Sequence, residues 1–528
     1  MRILVAEPLA AEGIAVLRER HDVDERAGLS RDEYLAIIPD YDALVVRSQV
    51  QVDAAMIAAG TRLAVIGRAG VGVDNVDLDA ATRAGVTVVN APTGNTIAAA
   101  EHTLALLYAL ARNVSAAEAS LRRGEWKRAQ FTGVELRGKT LGIVGFGKIG
   151  QAVAARAQAM EMPLLVSDPY VTSEQAALHG AELVSLDEIL TRADVVSLHV
   201  PKTRTTAGMI GAAELARMKP TAFLLNVARG GVVDEVALAE ALAAGTIAGA
   251  AVDVFAAEPP VGSPLLEAPH AVLTPHLGAS TAEAQVRVAV EAAQQVVDVL
   301  EGRSARYAVN APLLTPETAR AIAPYVPLAE TLGSFLAQYV RGGIDSLAVQ
   351  VSGELAEHDC SQVAAAALRG LLEETTTERV NLVNAATIAK ARGIGVTETR
   401  TSDAGAYATL VTLRAGSGGR TSTIAGTIGA GEPRIVRIDD YRLDMEPVTW
   451  MLMTSHRDRP GMVGRIGAVL GEADVNISAM TLARSAPRAD ALMLLALDDT
   501  VPDAVAARIR ALDAILDVWV LHLGRGDA

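Results

Sequence analysis

A strand-sized apolar run that ends in Gly145-Phe146-Gly147-Lys148-Ile149-Gly150 and continues as an alanine-rich helix former leaves this chain few folds. Leu141 to Val144 supply the strand and Gln151 to Met160 the helix, so the glycines fall at a strand-to-helix turn. The spacing alone decides little, because 45 glycines in 528 residues produce it by chance roughly 0.3 times. Its setting decides more. At a helix start the unsatisfied backbone N–H groups and the positive dipole end hold a pyrophosphate, and missing side chains let phosphates approach the backbone. A second apolar run, Pro163 to Ser167, ends in Asp168, 18 positions past Gly150. A carboxylate about 20 residues on accepts hydrogen bonds from the adenosine ribose and repels a 2′-phosphate. NAD is therefore expected rather than NADP.

The same strand-helix alternation runs on both sides of this turn. Before it, Ile3 to Ala6, Ala43 to Arg47, Leu63 to Ala69 and Val86 to Asn90 read as strands of a small parallel α/β unit. After it, Asp194 to Val200, Ala222 to Val227, Gly249 to Phe255 and Ala271 to Thr274 continue the nucleotide-binding unit, preceded by a long apolar helix from Thr96 to Arg112. A helix after His276, through about Leu300, is expected to return to the first unit, which makes the second an insertion. About Pro312 to Glu446 is glycine- and threonine-rich, with Arg414 to Thr427 punctuated like β-hairpins and no catalytic constellation. From Val448 the order reads strand, helix, strand, strand, helix, strand, a ferredoxin-like arrangement.

Composition narrows the function classes. A formal charge of −15 argues against generic nucleic-acid binding, which draws on clustered Lys and Arg. Apolar runs are strand-sized, so no membrane span is expected. The start, Met1 to Ala6, reads as a first strand rather than a secretory segment, which points to the cytoplasm. Cys360 is the only cysteine, which excludes an intrachain disulfide or a thiolate zinc cluster, and no metal is expected.

Three residues beside strand-like runs carry chemistry. Arg229, in Asn226-Val227-Ala228-Arg229-Gly230-Gly231, ends a strand where open α/β sheets place ligands, and its fork of donors suits a carboxylate. His276 follows Leu273-Thr274-Pro275 and can take a hydroxyl proton as hydride leaves. Glu258, in Asp253-Val254-Phe255-Ala256-Ala257-Glu258-Pro259-Pro260, can stabilise the imidazolium and fix its tautomer.

These segments resemble the D-isomer-specific 2-hydroxyacid dehydrogenases from the first residues to about Asn310. The resemblance implies that Arg229 holds the substrate carboxylate, that His276 is the acid-base with Glu258 behind it, and that Asp253 contacts the nicotinamide carboxamide. Val227 and Gly278 would join Gly145, Gly147, Lys148, Ile149, Gly150 and Asp168 in holding NAD. Val46-Arg47-Ser48 and Arg68 to Asn75 resemble substrate loops of the long-form members that act on a phosphorylated hydroxyacid: Arg47 would meet phosphate and Gly70 N–H the carboxylate. Gly124-Glu125-Trp126-Lys127-Arg128 resembles a segment reaching a neighbouring subunit, with Arg128 and Lys127 near the substrate phosphate and Trp126 an interface anchor. The tail resembles an intervening domain and an ACT domain. In the family L-serine binds where two ACT domains pair, and His456, Asp458 and Asn476 occupy the matching positions.

The implied architecture is α/β: two doubly wound, Rossmann-like parallel-sheet domains, one inserted in the other, then an α+β intervening domain and a ferredoxin-like ACT domain. The expected bounds are 1–93 with 291–312 for substrate, 94–290 for NAD, 313–446 intervening and 447–528 regulatory. The implied reaction is oxidation of 3-phospho-D-glycerate to 3-phosphohydroxypyruvate by NAD, the first step of phosphorylated L-serine synthesis, under serine feedback in a homotetramer or other homo-oligomer. Another hydroxyacid dehydrogenase, such as a glyoxylate or hydroxypyruvate reductase, and a non-catalytic NAD-sensing scaffold are the alternatives.

Overall fold

The computed structural model of the chain describes residues 1–303, 305–311, 314–376 and 378–524, which form four sheets. The first is wholly parallel: β1 (Arg2–Val5), β2 (Asp22–Glu25), β3 (Ala43–Val46), β4 (Val65–Arg68) and β5 (Thr87–Asn90), in the order β2-β1-β3-β4-β5. Alternate residues of β1 fill opposite faces: Leu4 packs with Leu44, Ile66 and Val88, while Ile3 and Val5 pack with Val45 and Val65. β2 has no apolar run to announce it. Asp22-Val23-Asp24-Glu25 lies at the sheet edge, where its side chains reach water.

The second sheet comprises β6 (Leu141–Val144), β7 (Leu164–Ser167), β8 (Ala181–Leu183), β9 (Val195–Leu198), β10 (Phe223–Asn226), β11 (Gly249–Val252) and β12 (Ala271–Leu273). Its order is β12-β11-β10-β9-β6-β7-β8, all parallel. β6, β9, β10 and β11 are buried along their whole length because helices cover both faces. Leu104, Leu107 and Leu110 of the helix Thr96–Ala111 close one face against Ile143 and Leu225, each worth about 1.5–3 kcal/mol if fully buried. Leu190, Val196 and Leu224 fill the other face. The strand order reverses between β6 and β9, where such sheets open a ligand crevice.

The helix Ala282–Leu300 leaves this unit and packs on the first, with Val296, Val297 and Leu300 sharing a core with Ile3, Val5 and Val65. The second sheet is thus inserted into the first unit. The expected passage at 290 falls inside this unbroken helix, and the expected boundary at 312/313 lies outside the described residues.

The third sheet is mixed: β13 (Ser346–Gly353), β14 (Gly395–Thr401), β15 (Thr409–Ser417), β16 (Arg420–Gly429), β17 (Glu432–Ile438) and β18 (Tyr441–Met445), ordered β14-β13-β15-β16-β17-β18. The hairpin read from composition is present: Gly418 and Gly419, both at positive φ, turn β15 into β16. The fourth sheet is β19 (Trp450–Arg457), β20 (Ile477–Arg484), β21 (Asp490–Leu497) and β22 (Ile515–His522), ordered β20-β21-β19-β22 with antiparallel pairings. Met462–Glu472 and Asp503–Arg510 complete its helix complement. Met451, Met453, Leu492 and Leu494 join Phe335 and Leu336 of the third unit in one core, so the two C-terminal units share an apolar face. Among the described residues no helix is long and apolar enough to cross a membrane.

Candidate active site

The glycine turn is built as its spacing requires. Gly145 has φ +92° and packs against the end of β9, where an added Cβ would lie 2.6 Å from His199 O. An added Cβ at Gly150 would lie 2.3 Å from Gly145 O, so this glycine lets the helix Lys148–Ala159 sit directly on the turn. Gly147 is the N-cap, and a Cβ there would meet no protein atom within 4 Å, leaving the helix start approachable by an anion. The site therefore fits the pyrophosphate of a dinucleotide. Lys148 holds its ammonium 5.4 Å above the Tyr307 ring, and Ile149 packs into the core beneath. His199 is partly buried, and its desolvation pushes the imidazole down to about 4.

Asp168 follows β7 and ties the turn to it. One carboxylate oxygen accepts from Phe146 N at 2.7 Å, the other from Tyr170 N at 2.8 Å. Each oxygen retains a lone pair for a ribose hydroxyl.

Arg229, Glu258 and His276 leave the carboxyl ends of the adjacent strands β10, β11 and β12. Asn226 pairs with Val252 and Val252 with Leu273, so the outer two loops are separated by two strand spacings, roughly 10 Å. Backbone bonds lock the loops together: Asp253 N donates to Asn226 O at 3.0 Å and His276 N to Asp253 O at 2.8 Å. His276 adopts φ +53° and places Nδ1 2.7 Å from Glu258 Oε2, while Glu258 Oε1 accepts from Phe255 N at 3.1 Å. With Nδ1 as donor to the carboxylate, Nε2 is left as the free base of a partly exposed imidazole. Arg229 reaches across to the first unit. Its Nε lies 3.1 Å from Asp74 Oδ2, and a Cβ on Gly72 would strike its guanidinium. Asn226 shapes that loop by donating to Arg229 O and accepting from Ala228 N.

Asp253 is fully buried and holds the turn that carries His276. It accepts from Thr274 Oγ1 at 2.6 Å, Leu277 N at 2.7 Å and Gly278 N at 2.8 Å, with His102 Nε2 at 3.2 Å. Burial works to raise its carboxyl, but the His102, Thr274, Leu277 and Gly278 donors together hold it below the usual carboxylate range. The Gly278 amide is thereby engaged, and the same residue lies against Val227, 3.3 Å from where its Cβ would stand. His102 carried no sequence signal. It sits inside an apolar helix, and only folding brings it to Asp253.

On the first unit, Gly70 N donates to Arg68 O at 2.8 Å, so a carboxylate binding at this amide must share or open that bond. Arg68 is a cation that sequence reasoning passed over. Burial pushes its guanidinium down to about 10, with Arg229 and then Arg47 adding repulsion, and it stays charged at neutral pH. Arg47 follows β3, its Nη1 3.4 Å from Pro8 O. Lys127 and Arg128 are not brought to this cleft. They surround a shallow surface pocket with Leu121, Glu125, Trp126 and Phe131, Lys127 pairs with Glu125 at 3.2 Å, and Trp126 is 78% exposed.

The three residues expected to hold an effector are also not gathered within one chain. His456 lies next to last in β19 and is buried, which pushes its imidazole down although the charge of Asp458 is near. Asp458 accepts from Arg488 N and Arg484, the Arg488 bond leading in holding it below the usual carboxylate range. Asn476 precedes β20 and donates to Asp498 at 2.6 Å. Through β21, His456 lies level with Ala491 and Ile477 with Leu497, so Asn476 stands about 20 Å away along the sheet.

Residues 104–278 match the family model for the NAD binding domain of D-isomer specific 2-hydroxyacid dehydrogenases. Residues 321–439 match the D-3-phosphoglycerate dehydrogenase intervening domain, and 450–514 the ACT domain. A D-3-phosphoglycerate dehydrogenase of Synechocystis is 48% identical over 99% of this chain and 95% of its own length, and that of Archaeoglobus fulgidus 41% identical over 99% and 100%. Among solved structures, a glyoxylate reductase of Paecilomyes thermophila (31% identity, TM-score 0.54) covers 58% of this chain and 98% of its own. An NAD-dependent formate dehydrogenase of Staphylococcus aureus in complex with NAD (31%, TM-score 0.51) covers 57% and 95%. With the NAD-binding turn, the paired imidazole and carboxylate and the two appended units in one chain, the protein belongs to the D-3-phosphoglycerate dehydrogenases, NAD-dependent long-form enzymes of the D-isomer-specific 2-hydroxyacid dehydrogenase family.

Proposed function

We propose that this chain oxidises 3-phospho-D-glycerate to 3-phosphohydroxypyruvate and is inhibited by L-serine. The observation that carries the reading is the His276–Glu258 pair at 2.7 Å, on the two strand ends next to the loop of Arg229. Arg229 fixes the substrate carboxylate bidentately, exchanging its bond to Asp74 for the ligand. His276 Nε2 takes the C2 hydroxyl proton, and Glu258 stabilises the imidazolium through Nδ1. NAD, when bound, supplies the hydride acceptor. Arg47 meets the phosphate, and Arg68 adds positive potential behind Gly70. Asp168 favours a free ribose over a 2′-phosphate.

Lys127 and Arg128 reach the phosphate of a neighbouring subunit. The exposed Tyr108, Val114, Leu121 and Trp126 support a homo-oligomer joined at the NAD-binding unit, and a homotetramer is the state we expect. The substrate unit comprises 1–93 and 291–312, the NAD unit 94–290, the intervening unit 313–446 and the regulatory unit 447–528, and the enzyme works in the cytoplasm. Serine binds where two regulatory units pair, Asn476 of one copy facing His456 and Asp458 of another, an arrangement their separation within one chain supports. The test is NADH absorbance: 3-phospho-D-glycerate with NAD should give turnover, and faster reduction of glyoxylate by NADH would favour a reductase instead.

A further inference from the structure

We propose that Glu7 and Asn75 are positioning residues that mould the loop after β3 into a preformed phosphate seat, an inference that rests on Arg47 meeting the substrate phosphate. Glu7 follows β1 and is 6% exposed. Its Oε1 accepts from Arg47 N at 2.8 Å and Val50 N at 3.1 Å, and Gln49 N lies 3.1 and 3.2 Å from its two oxygens. From the other side Asn75, 8% exposed, donates its amide to Arg47 O at 3.1 Å and Val50 O at 2.7 Å. Asn75 is itself anchored: Val52 N donates to Asn75 O at 2.8 Å and Asp77 N to Val52 O at 3.0 Å.

Two buried side chains thus satisfy three N–H and two C=O groups between residues 47 and 50, a stretch past the end of the β3 ladder. A loop at a strand end normally meets water and pays ordering entropy when a ligand arrives. Here that ordering is completed by folding. An ionised acceptor makes each amide bond roughly twice as strong as a neutral one would. Glu7 is not a ligand group, because a carboxylate turned toward a phosphate would repel it; its oxygens face the loop amides instead. Asn75 belongs to the second substrate loop, so the mould also fixes that loop's register against Arg47.

Steady-state kinetics on the full chain test this with Glu7→Gln, Asn75→Ser, Arg47→Ala and the double variants with Arg47→Ala. Glu7→Gln presents an amide N–H to the loop amides, and it should raise KM for 3-phospho-D-glycerate roughly tenfold while kcat and KM for NAD stay within about twofold. Asn75→Ser should act in the same direction and stands in if Glu7→Gln does not fold. In the Arg47→Ala background neither should raise KM further, since both act through Arg47. The mould is overturned if Arg47→Ala raises KM but Glu7→Gln and Asn75→Ser do not, or if their effects persist undiminished without Arg47. A KM unmoved by Arg47→Ala instead sinks the phosphate reading itself, and the mould with it.

Discussion

The NAD-binding sheet and the regulatory sheet treat their candidate residues in opposite ways. In the parallel sheet, Arg229, Glu258 and His276 come from three chain segments yet all follow carboxyl ends, and parallel pairing puts every carboxyl end on one edge. In the regulatory sheet, β19 and β20 flank β21 and run the same way, but His456 closes the first while Asn476 opens the second. Closing and opening positions of like-directed strands fall on opposite edges. One chain gathers the catalytic candidates on a single edge, whereas it leaves the effector candidates on opposite edges.

The largest effect should come from breaking the first half of that contrast. His276→Ala is expected to lower kcat by three orders of magnitude or so while NADH binding, followed by fluorescence, survives; near-normal turnover would remove His276 from the acid-base role. Desolvated histidines offer a second comparison, one at each sheet: His199, just past β9, is held at about 4 and the buried His456 is also lowered. Each is depressed in the folded state, so below about 6.5 the unfolded chain binds more protons. Stability is therefore full above that value and falls as pH drops toward the folded value, by about 3 kcal/mol for His199. Thermal midpoints from pH 7 to 4 should decline less steeply in His199→Gln, and an unchanged slope contradicts the argument. Glu258→Gln should cost roughly 10–100-fold in kcat, because the imidazolium loses its counter-charge; an equal rise in substrate KM would point to binding rather than proton transfer.

The smallest effect sharpens the regulatory half. His456→Ala and Asn476→Ala should each abolish the serine response in uniform assemblies, a coupling of about 1–3 kcal/mol. Assemblies mixed from the two variants contain some intact pairings, so inhibition should partly return. If mixing restores nothing, the shared site between copies is wrong.

The glycine turn, Asp168 and the apolar strands were legible because each depends on neighbours in sequence. β2 and β8 were not, since edge strands such as Asp22–Glu25 need no apolar alternation. His102 and Glu7 were silent for another reason: each meets its partners across more than a hundred positions or at least forty. The cations Arg68 and Arg229 look alike as letters, and only the fold separates them: Arg229 reaches Asp74, while the Arg68 guanidinium lies against Gly70.

By itself the sequence determined the local grammar: where a phosphate can meet a helix start, which residue types can move a proton, and that two further units follow. The tertiary structure alone decided which groups share an edge, that Asp253 holds the His276 turn, and that Asn476 stands far from His456. The physical reason is that strand direction and sheet order are set by long-range burial and backbone pairing, which no window of neighbouring residues encodes.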